Sequence, residues 1–142
     1  MKVSRILTRT MVAIGVRDTA LTAAKLMVQH NIGLLVVTDA ATNGNLVGVI
    51  SERDIIRMIA SGRTLGALVS EVCTRNIVTV RGNSDVAEAA KAMNKHGIRH
   101  VVVVDDGNKP VGVVSMRDLV GERATLTAIL QSDEKEVFHG AD

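Results

Sequence analysis

The sequence predicts an α/β protein built from two β-α-β-β-α repeats. Residues 7–39 align over residues 73–105 at a constant offset, so that Thr8 lies over Thr74 and His30 lies over His96. Each copy contains a stretch in which small and apolar residues recur at helical spacing, as in an amphipathic helix. Each copy then has two runs of Val, Leu and Ile, and such unbroken runs indicate strands that are buried on both faces.

The elements follow in the same order in both copies. A short strand comes first (Val12–Ile14 and Ile77–Val80), and a turn leads into a helix for which Asp18 and Ser84 are the expected N-caps. The expected apolar faces of these helices comprise Leu21, Ala24, Met27 and Val28 in the first copy, and Val86, Ala89, Ala90 and Met93 in the second. The strand pairs GLLVVT/LVGVIS and HVVVVD/PVGVVS are joined by Gly/Asn turns, and a final helix begins near Glu52 and near Met116.

These elements divide the chain into a first repeat at residues 1–62, a second repeat at residues 63–121, and a C-terminal helix with a charged tail at residues 122–142. Each repeat alone would be a marginal domain, so we expect the two to pack together and share a core. The stretch ERATLTAILQ predicts the terminal helix, and SDEKEVFHGAD predicts a frayed end.

Composition narrows the class of protein. Hydrophobic residues make up 46% and charged residues 23% of the chain, which is typical of a soluble globular protein, and no apolar run is long enough for a membrane span. The start lacks the pattern of a secretory signal, and the single Cys73 cannot form an internal disulfide, so we expect a cytoplasmic location. A net charge of +2 and a single aromatic residue, Phe138, make nucleic-acid binding an unfavoured interpretation.

The two repeats end in closely related motifs, GVISERDI at residues 48–55 and GVVSMRDL at residues 112–119. A Ser followed three residues later by an acid is a common helix start. Two features favour a further role: the acid is Asp, whereas Glu or Gln reaches back to the cap more readily, and Gly48 and Gly112 weaken a strand unless something approaches closely. Ser and Asp at a strand's carboxyl end lie where α/β sheets bind ligands, and such a carboxylate can accept both hydroxyls of a ribose. The residues leave both interpretations open.

The repeated unit, its two GhhSxxD endings (h, aliphatic) and the preceding HGIRHVVVVD resemble a tandem pair of cystathionine-β-synthase (CBS) domains, called a Bateman module, over about residues 1–121. The resemblance implies two repeats packed sheet to sheet with pseudo-twofold symmetry. It also implies clefts between the repeats that bind adenosine derivatives such as AMP, ADP, ATP, S-adenosylmethionine or NAD-type molecules. A disc-like homodimer is expected as in the family, formed through a free apolar side of the helix that carries Ile55, Ile56, Met58 and Ile59.

The resemblance also implies the site residues. In the family, the motif's Asp binds the ribose hydroxyls, and its Ser or Thr helps with the sugar or the phosphate. Carried over to this sequence, Ser51 and Asp54 face Thr74, Ile77, Val78, Ile98, Arg99 and His100. The reciprocal cleft sets Ser115 and Asp118 against Thr8, Met11, Val12, Ile32, Gly33 and Leu34.

The two expected clefts differ in charge. Arg99 and His100 of the second copy correspond to Gly33 and Leu34 of the first, and a guanidinium is a good phosphate partner. Arg53 and Arg117, inside the motifs, could add to either cleft or remain solvated. The sequence therefore predicts tighter binding of AMP-like ligands at Ser51 and Asp54.

No catalytic or metal-binding set stands out in the sequence. It shows no nucleophile with an adjacent base and no cysteine–histidine metal set, so we expect neither an enzyme nor a catalytic cofactor. The favoured function is a regulatory sensor that binds AMP or a related adenosyl ligand and passes its state to an unidentified partner protein. The alternatives are an interaction or structural module without a physiological nucleotide and, ranked last, a nucleic-acid-linked regulator.

Overall fold

The computed structural model of the protein describes residues 1–7, 11–121, 127 and 129–131. The chain forms two compact units. The first-repeat unit comprises Met11–Ile77, and the second-repeat unit comprises Met1–Thr10 together with Val78–Asp142.

The first-repeat unit is a three-stranded sheet with helices. Its elements are β1 (Ala13–Gly15), α1 (Ala20–His30), β2 (Leu34–Asp39), β3 (Asn45–Ser51), α2 (Glu52–Ala60) and α3 (Val69–Val72). The strand order is β1-β2-β3, with β1 parallel and β3 antiparallel to the central β2. The sequence therefore predicts the β-α-β-β-α order correctly, and α3 is an addition to it.

The second-repeat unit repeats this arrangement. A short 3-10 turn at Val3–Ile6 precedes β4 (Thr79–Arg81), α4 (Val86–His96), β5 (His100–Val104), β6 (Pro110–Ser115) and α5 (Met116–Gly121). The strand order is β4-β5-β6, again with one parallel and one antiparallel pair. Both sheets shift register at corresponding positions, between Val37 and Thr38 in the first and between Val103 and Val104 in the second. The two repeats therefore share this irregularity as well as their regular elements.

Each unit has its own hydrophobic core. The core of the first-repeat unit contains Leu35, Val37, Ile50 and Met58. That of the second-repeat unit contains Met93, Val101, Val103 and Leu119. Consecutive residues are buried in the central strands β2 and β5, as expected for strands that are covered on both faces. The second run of each copy forms an edge strand, β3 or β6, in which buried residues alternate with more exposed ones, so the expected burial on both faces is wrong there.

The units are not divided at the expected repeat boundary at residues 62 and 63. The backbone N–H of Val3 donates to the Ser84 carbonyl at 2.9 Å, so the start of the chain packs with the second repeat. The N–H of Val69 donates to the Asp18 carbonyl at 2.7 Å, so the segment after α2 packs with the first repeat. Val3 and Val69 are both fully buried. Each repeat therefore completes its core with the short segment that precedes the other repeat's first strand.

The expected N-caps are wrong by one residue. Thr19 caps α1 by accepting from the N–H of Thr22, and Asp85 caps α4 by accepting from the N–H of Ala87. Asp18 instead accepts from the Gly15 N–H at 2.9 Å and closes the preceding turn. A short polar side chain has both options at a strand-to-helix turn, and the tertiary path of the chain decides between them.

The apolar face of α4 is confirmed, because Val86, Ala89, Ala90 and Met93 are all buried. In α1 the buried residues are Ala20, Ala23 and Met27, whereas Leu21 is 41% and Val28 is 83% exposed. The helix is thus rotated by part of a turn relative to the expected face.

The C-terminal region lies largely outside the described residues. The expected helix is described only at residues 127 and 129–131, where Ile129 is buried in the core of the second-repeat unit. The expected charged tail falls on residues that the structure does not describe. Among the residues described, none of the helices has both the length and the apolar character needed to cross a membrane.

Candidate functional site

The first GhhSxxD motif is a helix start. Strand β3 ends at Ser51, whose Oγ accepts a hydrogen bond from the Asp54 N–H at 3.2 Å. Asp54 Oδ2 accepts in return from the Ser51 N–H at 2.9 Å and from Ser51 Oγ at 3.1 Å. This capping box satisfies backbone donors that have no partner within the helix. The helix-start interpretation is confirmed, and Asp closes the box although Glu or Gln reaches back to the cap more readily.

The other oxygen of the same carboxylate receives a bond from a distant part of the sequence. Thr74 Oγ1 donates to Asp54 Oδ1 at 3.0 Å. The backbone of Thr74 is held against β3 by two bonds, from the Val49 N–H to the Thr74 carbonyl (2.9 Å) and from the Thr74 N–H to the Val49 carbonyl (2.8 Å). Ser51, Asp54 and Thr74, which the sequence assigns to one site, therefore lie together in the first-repeat unit.

Gly48 makes this approach possible. A Cβ built at this position would collide with the carbonyl oxygen of Thr74 and would lie 3.2 Å from its carbonyl carbon. A glycine inside a strand often marks such a close approach. The expectation that something comes close to Gly48 is confirmed, and what comes close is the backbone of Thr74.

Asp54 is unusual for its burial. It is 7% exposed and is the one buried polar or charged side chain among the described residues. Burying a carboxylate is costly unless its oxygens are hydrogen-bonded. The Asp54 carboxylate accepts three hydrogen bonds. Arg57 Nη1 lies 3.9 Å from Asp54 Oδ1, with 68% of its side chain exposed. The sequence interpretation missed Arg57, which its position three residues after Asp54 on one helix could have suggested.

The second motif forms the same helix start with fewer partners. The Ser115 N–H donates to Asp118 Oδ2 at 2.9 Å, and the Asp118 N–H donates to Ser115 Oγ at 3.0 Å. Asp118 is half-buried, and within the part of the chain that is described its carboxylate accepts bonds from Ser115 alone. The position that matches Arg57 is Gly121. Thr8, the expected counterpart of Thr74, lies outside the described residues.

The residues that precede each central strand support the helix start of their own unit. The Glu52 N–H donates to the Gly33 carbonyl at 3.0 Å, and the Met116 N–H donates to the Arg99 carbonyl at 2.8 Å. Across the antiparallel strand pairs, Leu34 lies opposite Ser51, and His100 lies opposite Ser115.

The remaining predicted site residues are distributed over both units. Half-buried residues of the first-repeat unit are Met11, Val12, Ile32 and Ile77, and those of the second-repeat unit are Val78 and Ile98. Arg53 and Arg117 are exposed. The expected pairings of Ser51 and Asp54 with Val78, Ile98, Arg99 and His100, and of Ser115 and Asp118 with Met11, Val12, Ile32, Gly33 and Leu34, join residues of different units and stay predictions.

Cys73, next to Thr74, has a thiol that favours its protonated form. Burial raises the pKa of this thiol above its usual value, the Arg75 guanidinium opposes that effect, and the Asp54 carboxylate adds to it. A protonated thiol is a poor nucleophile and a poor metal ligand. Cys73 thus belongs to the packing of the segment that carries Thr74, where it contacts the core of the first-repeat unit.

Known proteins share this arrangement. The family model for the CBS domain matches residues 3–61 and 69–124. An uncharacterized 17.7 kDa protein from Acidianus ambivalens is 36% identical over 83% of this chain and 70% of its own length. The chain spans 61% of the length of a second curated relative and 18% of the length of a third.

Two solved structures are informative. The CBS domain protein PAE2072 from Pyrobaculum aerophilum, complexed with AMP, is 34% identical with a TM-score of 0.87, covering 92% of this chain and 99% of that one. The CBS domain pair of protein MJ0100, in complex with 5-methylthioadenosine and S-adenosyl-L-methionine, is 31% identical with a TM-score of 0.78, covering 85% of this chain and 98% of that one. With two matches to the family model and two α/β units of matching order, the chain belongs to the CBS domain family and carries the domain twice.

Proposed function

We propose that this chain is a regulatory module that binds AMP or a closely related adenosyl ligand, and that Asp54 holds the ribose hydroxyls of that ligand. The observation that carries the proposal is the buried Asp54 carboxylate, which receives Thr74 in addition to the bonds of a capping box. A helix start does not need a buried acid, since Asp118 closes the same box while half-buried. Relatives solved with AMP and with methylthioadenosine and S-adenosylmethionine support an adenosyl ligand.

The chemistry around Asp54 suits a ribose and an anionic group. Carboxylate oxygens accept from hydroxyls, and hydrogen bonds to a charged group are worth about 1.5–3 kcal/mol. The positive end of the α2 helix dipole and the Arg57 guanidinium favour a negative charge close by. Because one helix N-terminus and one arginine provide little positive charge for a triphosphate, AMP is the favoured ligand. Arg53 and the half-buried Ile77 are proposed to contribute to binding.

The biological role follows from the chemistry of a sensor. A ligand that binds one conformation of the chain better than another shifts the population between them, and a partner that recognises one conformation reads that shift. We propose that a partner protein is regulated in this way, that the chain acts as a homodimer, and that it works in the cytoplasm without a catalytic cofactor.

One observation favours a second candidate function. Both motifs form complete capping boxes, which would account for Ser51, Asp54, Ser115 and Asp118 without any ligand. An interaction module without a physiological nucleotide would therefore show no change in melting temperature with AMP, ADP, ATP, S-adenosylmethionine or NADH. A binder is stabilised by about RT ln(1 + [L]/Kd).

The decisive experiment compares two variants that lose the same type of helix start. Asp54→Ala should weaken AMP binding at least about tenfold, because a bond between a carboxylate and a ribose hydroxyl is lost, whereas Asp118→Ala should change the tighter site little. Isothermal titration calorimetry with AMP and 2′-deoxy-AMP measures both effects. Intact affinity in Asp54→Ala together with loss of binding in Asp118→Ala would contradict the assignment of the tighter site.

A further inference from the structure

We propose that Thr74 is a positioning residue that acts on the ligand through Asp54, and that it couples occupation of the site to docking of the segment Cys73–Ile77 on β3. The inference rests on the proposed function, since it assumes that Asp54 binds the ribose. It differs from a direct contact between Thr74 and the phosphate or the base of the ligand, and the experiment below separates the two.

The first step concerns the direction of the carboxylate. The capping box engages Asp54 Oδ2 through the N–H and Oγ of Ser51. Oδ1 is then the oxygen that is not needed for the helix start, and it accepts from Thr74 Oγ1 at 3.0 Å. A carboxylate offers about four lone-pair positions, and the three bonds from Ser51 and Thr74 leave one position on Oδ1 for a hydroxyl of the ligand. With both oxygens held, rotation of the side chain about its last bond is blocked.

The second step concerns how Thr74 is itself held. Its N–H and carbonyl both pair with Val49, at 2.8 and 2.9 Å, so that its backbone is fixed to β3 two residues before Ser51. The absence of a side chain at Gly48 allows this crossing. The Thr74 hydroxyl is therefore placed by the backbone of the strand that also ends in the motif.

The third step is the coupling. The segment Cys73–Ile77 follows α3 and leads towards β4, and its bonds to the rest of the first-repeat unit include the Thr74–Val49 pair and the Thr74–Asp54 bond. A ligand that requires the Asp54 orientation set by Thr74 stabilises that bond, and by thermodynamic reciprocity the docked segment increases ligand affinity. Occupation of the site thus changes the stability of a segment that follows the first repeat in the chain.

The experiment uses the full chain and three variants. Thr74→Val keeps the branched shape without the hydroxyl, Thr74→Ser keeps the hydroxyl, and Thr38→Val is a matched control on β2. Calorimetric titration is carried out with AMP, adenosine and 2′,3′-dideoxy-AMP. Thr74→Val should weaken AMP and adenosine alike by about tenfold, as expected for loss of a bond to a charged group, while Thr74→Ser and Thr38→Val bind as the wild type does. Binding of 2′,3′-dideoxy-AMP should change little, because this ligand lacks the hydroxyls that Asp54 would hold.

A second measurement tests the coupling. In hydrogen exchange, AMP should slow exchange of the peptides that contain Val49 and Thr74 in the wild type and in Thr74→Ser, but not in Thr74→Val. Thr74→Ala replaces Thr74→Val if the valine variant does not fold.

Each contrary result overturns the inference in a recognisable way. Unchanged AMP affinity in Thr74→Val removes the positioning role and leaves the proposed function standing. A loss that is restricted to AMP, or that is equally large for 2′,3′-dideoxy-AMP, shows that Thr74 contacts the ligand directly. Absence of AMP-induced protection around Thr74 in the wild type removes the coupling. Failure of the wild type to bind either AMP or adenosine removes the proposed function and this inference together.

Discussion

At the scale of single residues, a methyl group at position 48 would collide with the Thr74 carbonyl oxygen. The neighbour is backbone that is bonded to Val49 on both sides, so it cannot move aside without breaking those bonds. Gly48 therefore serves the placement of Thr74 and, through Thr74, the orientation of Asp54. Gly112 differs, because a Cβ there would meet a flexible neighbour, the Leu7 side chain, at 2.9 Å.

Gly48→Ala should lower the free energy of unfolding by about 1–3 kcal/mol, the range for inserting a methyl group into packed surroundings. It should also weaken AMP binding, because Thr74 is displaced from Asp54. Urea denaturation and calorimetric titration measure the two effects. Gly66→Ala is the control, since its Cβ would meet only Thr64 Oγ1 at 3.7 Å. Equal stability of the two variants would show that the Gly48–Thr74 crossing is not tight in solution.

The sequence alone predicted only some of the residues and contacts of the site. Ser51 and Asp54 stand out because the GhhSxxD motif is repeated, and Thr74 follows from the family resemblance. That Asp54 accepts from Thr74 could not be read from the sequence, because the bond joins residues 20 positions apart through the crossing of two backbones. Arg57 was missed because it lies outside the motif and has no counterpart at Gly121 in the second copy.

At the scale of secondary-structure elements, the N-terminus of α4 shows why the expected caps were wrong. Two polar residues, Ser84 and Asp85, precede the helix, and local pattern does not choose between them. The Ser84 carbonyl accepts a hydrogen bond from the Val3 N–H, which fixes the Ser84 backbone against the start of the chain. Asp85 takes the cap, and the hydrogen bond from the Ala87 N–H holds the pKa of its carboxyl below the usual value.

Asp85→Ala should cost about 0.5–2 kcal/mol of stability at neutral pH, as is typical for loss of an N-cap. Because the pKa of Asp85 is lower in the folded state, its contribution is fully present above the unfolded value near 3.8 and is lost as the pH falls through the folded value. The difference between wild type and variant in urea denaturation should therefore shrink below about pH 3.8. Ser84→Ala is the control and should change stability by no more than about 0.5 kcal/mol. A larger loss of stability in Ser84→Ala than in Asp85→Ala would show that Ser84, the residue predicted from the sequence, is the N-cap of α4.

At the scale of the whole molecule, the repeat is longer than the aligned segments indicated. Val3-Ser4 and Val69-Ser70 match at the same offset as Thr8 and Thr74. Their N–H groups make equivalent bonds, from Ser4 to the Gly82 carbonyl and from Ser70 to the Val16 carbonyl. A match of two residues is too short to extend an alignment on its own, and no local pattern shows that each segment packs with the other repeat. The order of strands and helices was predictable, whereas the exchange of these segments was not.

The exposed apolar residues of the first-repeat unit bear on the proposed homodimer. Val28 on α1 and Ile56 and Ile59 on α2 are 83%, 65% and 56% exposed, and the two helices pack against each other. Large apolar side chains clustered on neighbouring helices are typical of an interaction surface. The free apolar side expected of the helix with Ile56 and Ile59 is thus present, and a second copy of the chain is its proposed occupant.

Ile56→Lys should convert a dimer into a monomer, because a dimer interface of ordinary size buries about 800 Å² per partner and tolerates no unpaired charge at its centre. Light scattering at micromolar protein concentration measures the mass, and circular dichroism shows that the variant is folded. Val111→Lys on β6 is the control, since Val111 is also exposed, at 45%, but belongs to the second-repeat unit. A monomeric wild type would refute the dimer, and dissociation caused equally by Val111→Lys would place the interface elsewhere. If Ile56→Lys is monomeric and still binds AMP as the wild type does, the ligand site at Asp54 is complete within one chain.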